Sequence, residues 1–352
     1  PILSEIHGDE SSLRGPMLPF WITVEQLGGE IEGTSLRQGF TPLPNQMTLG
    51  ATWDEALTQQ VGEIVGQELA AVGINLLLGP TLDVYSEPRT DAVGSLGVYT
   101  FGGNPFWVSR LARAYIAGVH AGSGGRIATV ARHFPGIGSV DRMPALEVAT
   151  IQQSAERLAQ ESLPPFRAVT IGNGDPAGDS ARLTDALMPS HMRYSAYQAT
   201  GGAPVEPFAF TPALRVTMEQ QGLADWQTAG GLLMTNALGL PAIRKAYAPD
   251  GSEVPFRRIA LNAFNAGNDL IYLGRLSDDG TWSSELINIQ ETIDFFRARY
   301  AAEFDFALQV DDAVRRIIRA KLARYLTPAE LLQAAQAAGL SLETDAVSYT
   351  HL

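Results

Sequence analysis

Polar side chains stand at the ends of four apolar runs of this sequence. They are Glu25, Arg132 with His133, His191, and Asn236. A carboxylate, a guanidinium, two imidazoles and an amide together supply hydrogen-bond donors, acceptors and proton-transfer groups. Brought to one place, these side chains would form a site for a polar ligand.

The runs that carry these residues have the pattern of parallel β-strands. Each is short, is bounded by turn residues and is apolar on both faces, as expected for a strand buried on both sides. The predicted strands are residues 19–25, 74–79, 127–133, 186–191, 231–236 and 269–274. In a barrel of parallel strands the carboxyl ends meet at one mouth, where barrel enzymes carry their sites. The polar residues are therefore expected to converge there.

Helical patterns alternate with the strands, and several have recognisable starts. Thr52-Trp53-Asp54-Glu55 is predicted to be a capping box that opens a helix to about Ala71. Asn104-Pro105 and Thr211-Pro212 each pair an N-cap residue with proline at the first helical position. A late helix is predicted over residues 310–325.

Alternating strands and helices predict an α/β fold with a parallel sheet, either a (β/α)8 TIM-type barrel or a doubly wound sheet. No Gly-x-Gly-x-x-Gly follows the first strand, which argues against a dinucleotide fold. Because the sequence shows six strands and a barrel has eight, we expect an incomplete barrel without its first two βα units. The expected organisation is an irregular segment at 1–17, the barrel with its C-terminal helices at 18–340, and an artefactual tail at 341–352.

Composition narrows the function classes. The chain has 352 residues, 45% of them hydrophobic, which suits one large domain. Its net charge of -13 disfavours nucleic acid and anionic membrane as partners. It has no cysteine and no metal-ligand pattern, so we predict no metal and no cofactor. No apolar run approaches the roughly 18 residues of a membrane span. Trp53 and Trp107 are expected to pack between helices. Compartment and oligomeric state are left open.

The strongest motif is Ala131-Arg132-His133-Phe134-Pro135-Gly136-Ile137-Gly138. It resembles the Lys-His-Phe-Pro-Gly-His-Gly signature of glycoside hydrolase family 3, especially its bacterial β-N-acetylhexosaminidases. Further segments resemble that family in the same order: 24–29, 40–44, 73–84, 186–191 and 265–269. The resemblance runs from about residue 18 to about residue 325, and it implies the third to eighth strands of the family's barrel.

The resemblance implies retaining hydrolysis of β-linked sugars. In such enzymes an aspartate attacks the anomeric carbon, and a second group protonates the leaving oxygen. Asn236 stands at the nucleophile position of this chain, within Met234-Thr235-Asn236-Ala237-Leu238. A neutral carboxamide is a poor nucleophile and gives an oxocarbenium-like transition state no negative charge. Asn236 either keeps a ligand contact or only ends a strand and caps the next helix.

The second catalytic group is also altered. In the hexosaminidase branch that group is a histidine, held by an aspartate, on the loop after the motif. Here the loop reads Ile137-Gly138-Ser139-Val140-Asp141-Arg142-Met143-Pro144, is several residues shorter and contains no histidine. Asp141 is the candidate for a remnant acid. A positioned acid/base contributes about 10²–10⁴-fold in rate, so this loss compounds that of the nucleophile.

The resemblance also indicates substrate-binding positions. The candidates are Glu25, Asp83, Arg89, Tyr99, Arg132, His133 and His191. The two imidazoles match the family, although each also suits a satisfied core position. Arg132 replaces a lysine and Glu25 replaces an aspartate. Tyr99 stands where the family has an arginine, and Arg89 is close enough in sequence to substitute for it. Asp83 matches, either as a sugar contact or as a residue that stabilises its loop.

The sequence therefore favours a family 3-type barrel that has lost hydrolytic chemistry but keeps a pocket for a small carbohydrate, such as β-linked N-acetylglucosamine or a peptidoglycan fragment. One alternative is an active retaining β-N-acetylhexosaminidase or β-glucosidase that uses displaced acids such as Glu25, Asp83 or Asp141. Another is a scaffold or interaction module that binds no sugar.

Overall fold

The computed structural model describes residues 19–87, 96–138, 140–172, 180–198, 206–277 and 279–325. Arg89, the segments predicted at 1–17 and 341–352, and the end of the predicted barrel domain lie outside these residues. The strands are β1 Thr23–Val24, β2 Leu76–Leu77, β3 Ala128–Phe134, β4 Thr150–Ile151, β5 Ala186–Pro189, β6 Arg193–Tyr194 and β7 Leu232–Leu233. The α-helices are α1 Gln46–Thr52, α2 Glu55–Ala71, α3 Pro105–Ser123, α4 Ala155–Arg157, α5 Pro164–Thr170, α6 Ala213–Gln220, α7 Ala224–Thr228, α8 Pro241–Tyr247, α9 Phe256–Asn265, α10 Trp282–Ala302 and α11 Phe304–Tyr325.

The main sheet is parallel and follows the order of the chain. Its strands lie in the order β1-β2-β3-β5-β7. A parallel bridge between Met234 and Leu270 extends the sheet to the sixth predicted position. A doubly wound sheet would reverse direction at a switch point, whereas this order always advances the same way, as in a barrel. The α/β, TIM-barrel-type prediction is therefore confirmed, with all six predicted strand positions in one sheet, although most ladders are shorter than predicted.

A second, two-stranded sheet was not predicted. It pairs Thr150 with Arg193 and Ile151 with Tyr194 in parallel. Strands of two residues are too short to show a period in the sequence. This small sheet ties the connection after β3 to the connection after β5, and both connections belong to the candidate site.

The outer face of the sheet packs against helices. Leu77, Leu187 and Leu233 are buried in one cluster with Leu69 of α2 and Leu111 of α3. Glycines let α2 and α3 approach closely. A Cβ on Gly118 would lie 2.1 Å from the Gln59 carbonyl oxygen, and one on Gly62 would lie 2.4 Å from that of Tyr115. The two helices behind β2 and β3 are thus held in fixed positions.

The opposite face of the sheet packs against α11. Ile317 and Ala320 of this helix lie in a cluster with Val130 and Met188. Polar contacts fix the helix to residues at the amino ends of the strands. The Lys321 ammonium donates to the Pro19 carbonyl (2.8 Å), Asn75 donates to the Tyr325 hydroxyl (2.8 Å), Arg316 pairs with Asp269 (2.7 Å) and Arg324 pairs with Asp185. The helix therefore binds the amino ends of the strands and leaves their carboxyl ends free.

Two predicted helix starts are corrected by the structure. Asp54, not Thr52, caps α2, because its carboxylate accepts a bond from the Leu57 amide (3.0 Å). Thr52 ends the separate helix α1, which the sequence reading missed. Thr211 does not cap α6. Its hydroxyl donates to the Phe208 carbonyl (3.2 Å), and no side chain caps that helix.

The predicted cap of α3 is confirmed. Asn104 accepts bonds from the amides of Phe106 (3.0 Å) and Trp107 (3.4 Å), and Pro105 is the first helical residue. The expectation that Trp53 packs between helices is wrong, since its side chain is 64% exposed. It follows α1 with left-handed backbone (φ 54°), and that conformation places the ring outside the helix interface.

Candidate functional site

Asp83 and His133 form the most constrained pair at the carboxyl end of the sheet. Asp83 is fully buried, and one of its oxygens accepts a bond from Nδ1 of His133 (2.8 Å). Its other oxygen accepts from the amides of Ile137 (2.8 Å) and His133 (3.4 Å). Both carboxylate oxygens are thus occupied by protein donors. These contacts fit the loop-stabilising alternative for Asp83 and leave Nε2 of His133 as the ring nitrogen for a ligand.

Arg132, next to this pair, faces Glu25 at the end of β1. The Arg132 side chain is almost completely buried, and its Nη1 forms an ion pair with Glu25 Oε1. Nε of Arg132 has no hydrogen-bond partner among the described residues. Buried guanidinium groups are normally fully hydrogen-bonded, so this nitrogen is a donor available to a polar ligand.

Tyr99 lies on the same side of the mouth as Glu25. It ends a 3-10 turn, Gly97–Tyr99. Burial, and then the negative charges of Glu32 and Glu25, raise the pKa of Tyr99 above its ordinary value. The Tyr99 hydroxyl is therefore neutral and close enough to Glu25 to feel its charge. Glu25 and Arg132 are in direct contact and the charge of Glu25 acts on Tyr99, whereas Arg89 lies outside the described residues.

His191, after β5, is buried without hydrogen bonds. Its side chain packs on Phe210, with ring centroids 4.9 Å apart, and neither ring nitrogen has a partner in the described part of the chain. Burial and the proximity of His133 lower the pKa of His191 to about 3. The ring is therefore neutral near pH 7, with one donor and one acceptor unused. Unpaired buried polar groups are costly, so the pair of free nitrogens points to a ligand.

Asn236 occupies the corresponding position after β7. Its Oδ1 accepts a bond from the amide of Ala237 (2.7 Å), and the residue is partly buried. Its neighbour Thr235 is fully buried, donates its amide to the Leu270 carbonyl (3.0 Å) and accepts the Tyr272 amide through its hydroxyl (2.8 Å). Within the described ranges no carboxylate hydrogen-bonds to Asn236. The position is held firmly by backbone pairing, but the group it presents is an amide.

The described residues of the loop after β3 are held in place by packing. Ile137 and Val140 are buried, and a Cβ on Gly138 would lie 1.8 Å from the Val84 carbonyl oxygen. Asp141 is exposed and forms a bidentate ion pair with the adjacent Arg142 (2.9 and 3.0 Å). The loop therefore presents a salt-bridged carboxylate rather than a histidine with its partner aspartate.

The same loop continues onto the helix that follows Asn236. Glu147 pairs with Lys245 of α8 (2.5 Å), and the Ala145 carbonyl accepts the Ala242 amide (3.1 Å). These contacts join the two segments that the family resemblance marks as catalytic. The ion pair lies at the surface, where such pairs contribute little stability individually.

Sequence reasoning missed several residues that shape the site. The Tyr194 hydroxyl donates to the Gly136 carbonyl (2.9 Å) and so fixes the turn after His133, while Phe210 supports the His191 ring. Tyr194 ends the two-residue strand β6 and Phe210 ends a 3-10 turn, and elements this short have no periodic pattern that would mark them. The pairing of Asp83 with His133 was also missed, because the two residues are 50 positions apart and were predicted as separate sugar contacts.

Among the described ranges, no group of three or more histidine, aspartate or glutamate side chains is placed to hold a metal ion. No helix in the same ranges combines the length and apolar character needed to cross a membrane.

The chain belongs to glycoside hydrolase family 3. The profile of the Glycosyl hydrolase family 3 N terminal domain matches residues 5–320, most of the sequence, in agreement with the barrel-type sheet and the polar residues at its carboxyl end.

Particular relatives are β-hexosaminidases. A β-hexosaminidase of Hydrogenovibrio crunogenus is 32% identical over 200 residues, which is 55% of this chain and 49% of that protein. One from Nitrosomonas eutropha is 33% identical over 171 residues, 47% of this chain and 46% of that protein. The chain spans about half the length of these curated relatives.

Solved structures agree on the fold. A β-N-acetylhexosaminidase from Beutenbergia cavernae has a TM-score of 0.67 at 27% identity, covering 86% of this chain and 79% of that one. A family 3 β-N-acetylglucosaminidase from Paenibacillus has a TM-score of 0.67 at 24% identity, covering 94% of this chain and 55% of that one, and at this identity the likeness concerns the fold alone.

Proposed function

We propose that this protein binds a small carbohydrate of the β-linked N-acetylglucosamine type and that its hydrolytic chemistry is impaired. The observation that carries the proposal is Asn236, an amide on the strand end where the family's nucleophilic aspartate stands. Retaining hydrolysis needs a carboxylate at this point to form the glycosyl intermediate.

The state of the loop after β3 supports the loss of chemistry. A general acid must lie close to the leaving-group oxygen and carry a proton that it can donate to it. The loop has no histidine, and Asp141 is held by Arg142 at the surface. Asp83, the other nearby acid, is buried with both oxygens bonded to the protein. Glu25 is paired with Arg132.

The unused polar atoms support retained binding. His191 offers a donor and an acceptor, and Arg132 offers Nε, all from almost fully buried side chains. Sugar hydroxyls and an acetamide group can satisfy such atoms. A scaffold that bound no ligand would gain nothing from leaving them unpaired.

The test combines an activity assay with a binding assay. Hydrolysis of aryl β-N-acetylglucosaminide and aryl β-glucoside is measured for the protein and for Asn236→Ala. The two proteins should show equal, background rates, while N-acetylglucosamine should raise the melting temperature at millimolar concentration.

Other outcomes separate the alternatives. Turnover well above that of Asn236→Ala would identify an enzyme that uses displaced acids. Background turnover together with an unchanged melting temperature would identify a module without a sugar site. A His191→Gln variant that lost the thermal shift would assign the shift to this pocket.

A further inference from the structure

Trp53 is an exposed aromatic residue in a strained position. Its side chain is 64% exposed, and its backbone is left-handed (φ 54°, ψ 28°). In the part of the chain that the structure describes, Trp53 and Arg275 are the only residues other than glycine with a positive φ. Bulky residues rarely adopt this conformation, and glycine or asparagine would end α1 with less strain. Since the ring buries little, packing does not explain why tryptophan stands there.

Trp53 belongs to a small group of aromatic rings. The Trp107 ring lies 5.4 Å from it, tilted by 32°, and the Phe106 ring lies 5.5 Å from that of Trp107 and nearly perpendicular to it, at 81°. Phe106 is 59% exposed. We call Trp53, Phe106 and Trp107 the aromatic platform. Its rim is polar, because Arg110 stacks on Phe106 (5.4 Å) and forms an ion pair with Glu55.

The platform lies at the same end of the sheet as the candidate pocket. Helices that follow parallel strands run back across the sheet, so α2 and α3 begin at the carboxyl ends. Trp53 directly precedes α2, and Phe106 and Trp107 lie in the first turn of α3. Helix α1 packs closely on the turn that carries Tyr99, since a Cβ on Gly50 would lie 1.9 Å from the Phe101 carbonyl oxygen. The platform therefore adjoins the rim of the pocket.

We propose that the aromatic platform is an accessory binding site for a neutral, β-linked glycan chain. The C–H faces of pyranose rings are apolar and weakly positive, which suits the negative faces of aromatic rings. The hydroxyls at the sugar edge need polar partners, and Arg110 and Glu55 stand beside the rings. Binding of a glycan to the platform requires none of the pocket residues, such as Arg132 and His191, so the site is independent of the function proposed above.

The size and charge of the platform favour a glycan over other occupants. Aromatic side chains bury about 150–250 Å² each, so the exposed parts of these rings present roughly 300 Å². A stable protein interface needs about 800 Å² per partner. Nucleic acid bases also stack on aromatic rings, but the net charge of -13 opposes a polyanion.

The experiment measures retention of the full chain on insoluble chitin and cellulose, and titration with the soluble hexamer of N-acetylglucosamine. The single variant Trp53→Ala removes the most exposed ring of the platform. The double variant Trp53→Ala, Phe106→Ala removes both exposed rings. Trp282→Ala is the matched control, because Trp282 is 68% exposed at the start of a different helix. We expect at least tenfold weaker binding for Trp53→Ala, binding equal to the unmodified protein for Trp282→Ala, and retention on the polymer that survives His191→Gln.

Three results would overturn the proposal. One is the absence of retention on either polymer by the unmodified protein. Another is equal weakening by Trp53→Ala and Trp282→Ala. The third is a change in sedimentation coefficient for Trp53→Ala without a change in retention, which would make the platform a protein contact. Circular dichroism and the melting temperature of each variant check that it folds.

Discussion

The carboxylate of Asp83 holds the imidazole of His133 through a 2.8 Å bond, although the two residues are 50 positions apart in the chain. The same carboxylate accepts the amides of His133 and Ile137. One buried group thereby sets both the ring orientation at the end of β3 and the start of the loop that follows. Its attachment to Asp83 therefore bears on the stability of the loop.

Asp83→Asn should destabilise the fold by about 2–3 kcal/mol, because an amide NH₂ would face donors that now meet a carboxylate oxygen and would leave buried groups unpaired. Urea unfolding followed by circular dichroism measures this change. Asp141→Asn is the control, since that acid is exposed on the same loop, and it should stay within about 0.5 kcal/mol of the unmodified protein. Equal unfolding midpoints for the two variants would contradict the structural role of Asp83.

His191 should make the stability depend on pH. Its folded-state pKa is lowered to about 3, below the ordinary value of 6.5, so the unfolded chain binds its proton first. This contribution to stability is complete above about pH 6.5 and is lost progressively as pH falls towards 3. The loss should be about 2 kcal/mol between pH 7 and pH 5.

His191→Gln isolates that dependence. Glutamine stays neutral throughout, so the difference in unfolding free energy between the two proteins should shift by about 2 kcal/mol over this range. Because only the difference is compared, other titrating groups largely cancel. Parallel stability curves for the two proteins would show that His191 is not held neutral by burial.

Asn236→Asp should not restore hydrolysis. The substitution returns a carboxylate to the strand end, but the loop after β3 still has no histidine to protonate the leaving group. A missing acid/base limits the rate by about 10²–10⁴-fold. Release of aryl alcohol from aryl β-N-acetylglucosaminide, compared with Asn236→Ala, measures the effect. Substantial turnover by Asn236→Asp would mean that another residue supplies the proton.

The framework that positions the site was predictable because its signals are local. Short apolar runs marked every strand position of the main sheet, and Asn104-Pro105 marked the start of α3. Polar residues at the run ends marked Glu25, Arg132 and His133, and a parallel sheet necessarily brings such ends together. The contact of Glu25 with Arg132 follows from this topology.

The remaining features depend on long-range packing. The pairing of Asp83 with His133 and the support of His191 by Phe210 join residues that are distant in the chain, and no local pattern encodes them. The exposure of Trp53 follows from α1, whose few residues have no clear apolar stripe. Because that helix was missed, the cap of α2 was predicted at Thr52 and not at Asp54. The position of α11 depends on charges spread along the chain.

Arg324 should be a main anchor of α11. Burial acts to raise the pKa of Asp185, but the positive charges of Arg324 and His120 outweigh it and hold that pKa well below its ordinary value. Arg324→Ala would leave this carboxylate with His120 and with the amide and hydroxyl of Thr129. Removing one partner of a buried ion pair typically costs about 3 kcal/mol or more, so a loss near that size is expected in urea unfolding. Arg319→Ala is the matched control, because that side chain is exposed and, among the residues that the structure describes, donates only to the Thr228 carbonyl (3.2 Å). Faster amide hydrogen exchange over residues 316–325 should accompany the loss in Arg324→Ala alone, and identical exchange in the two variants would show that the apolar contacts of Ile317 and Ala320 suffice to hold the helix.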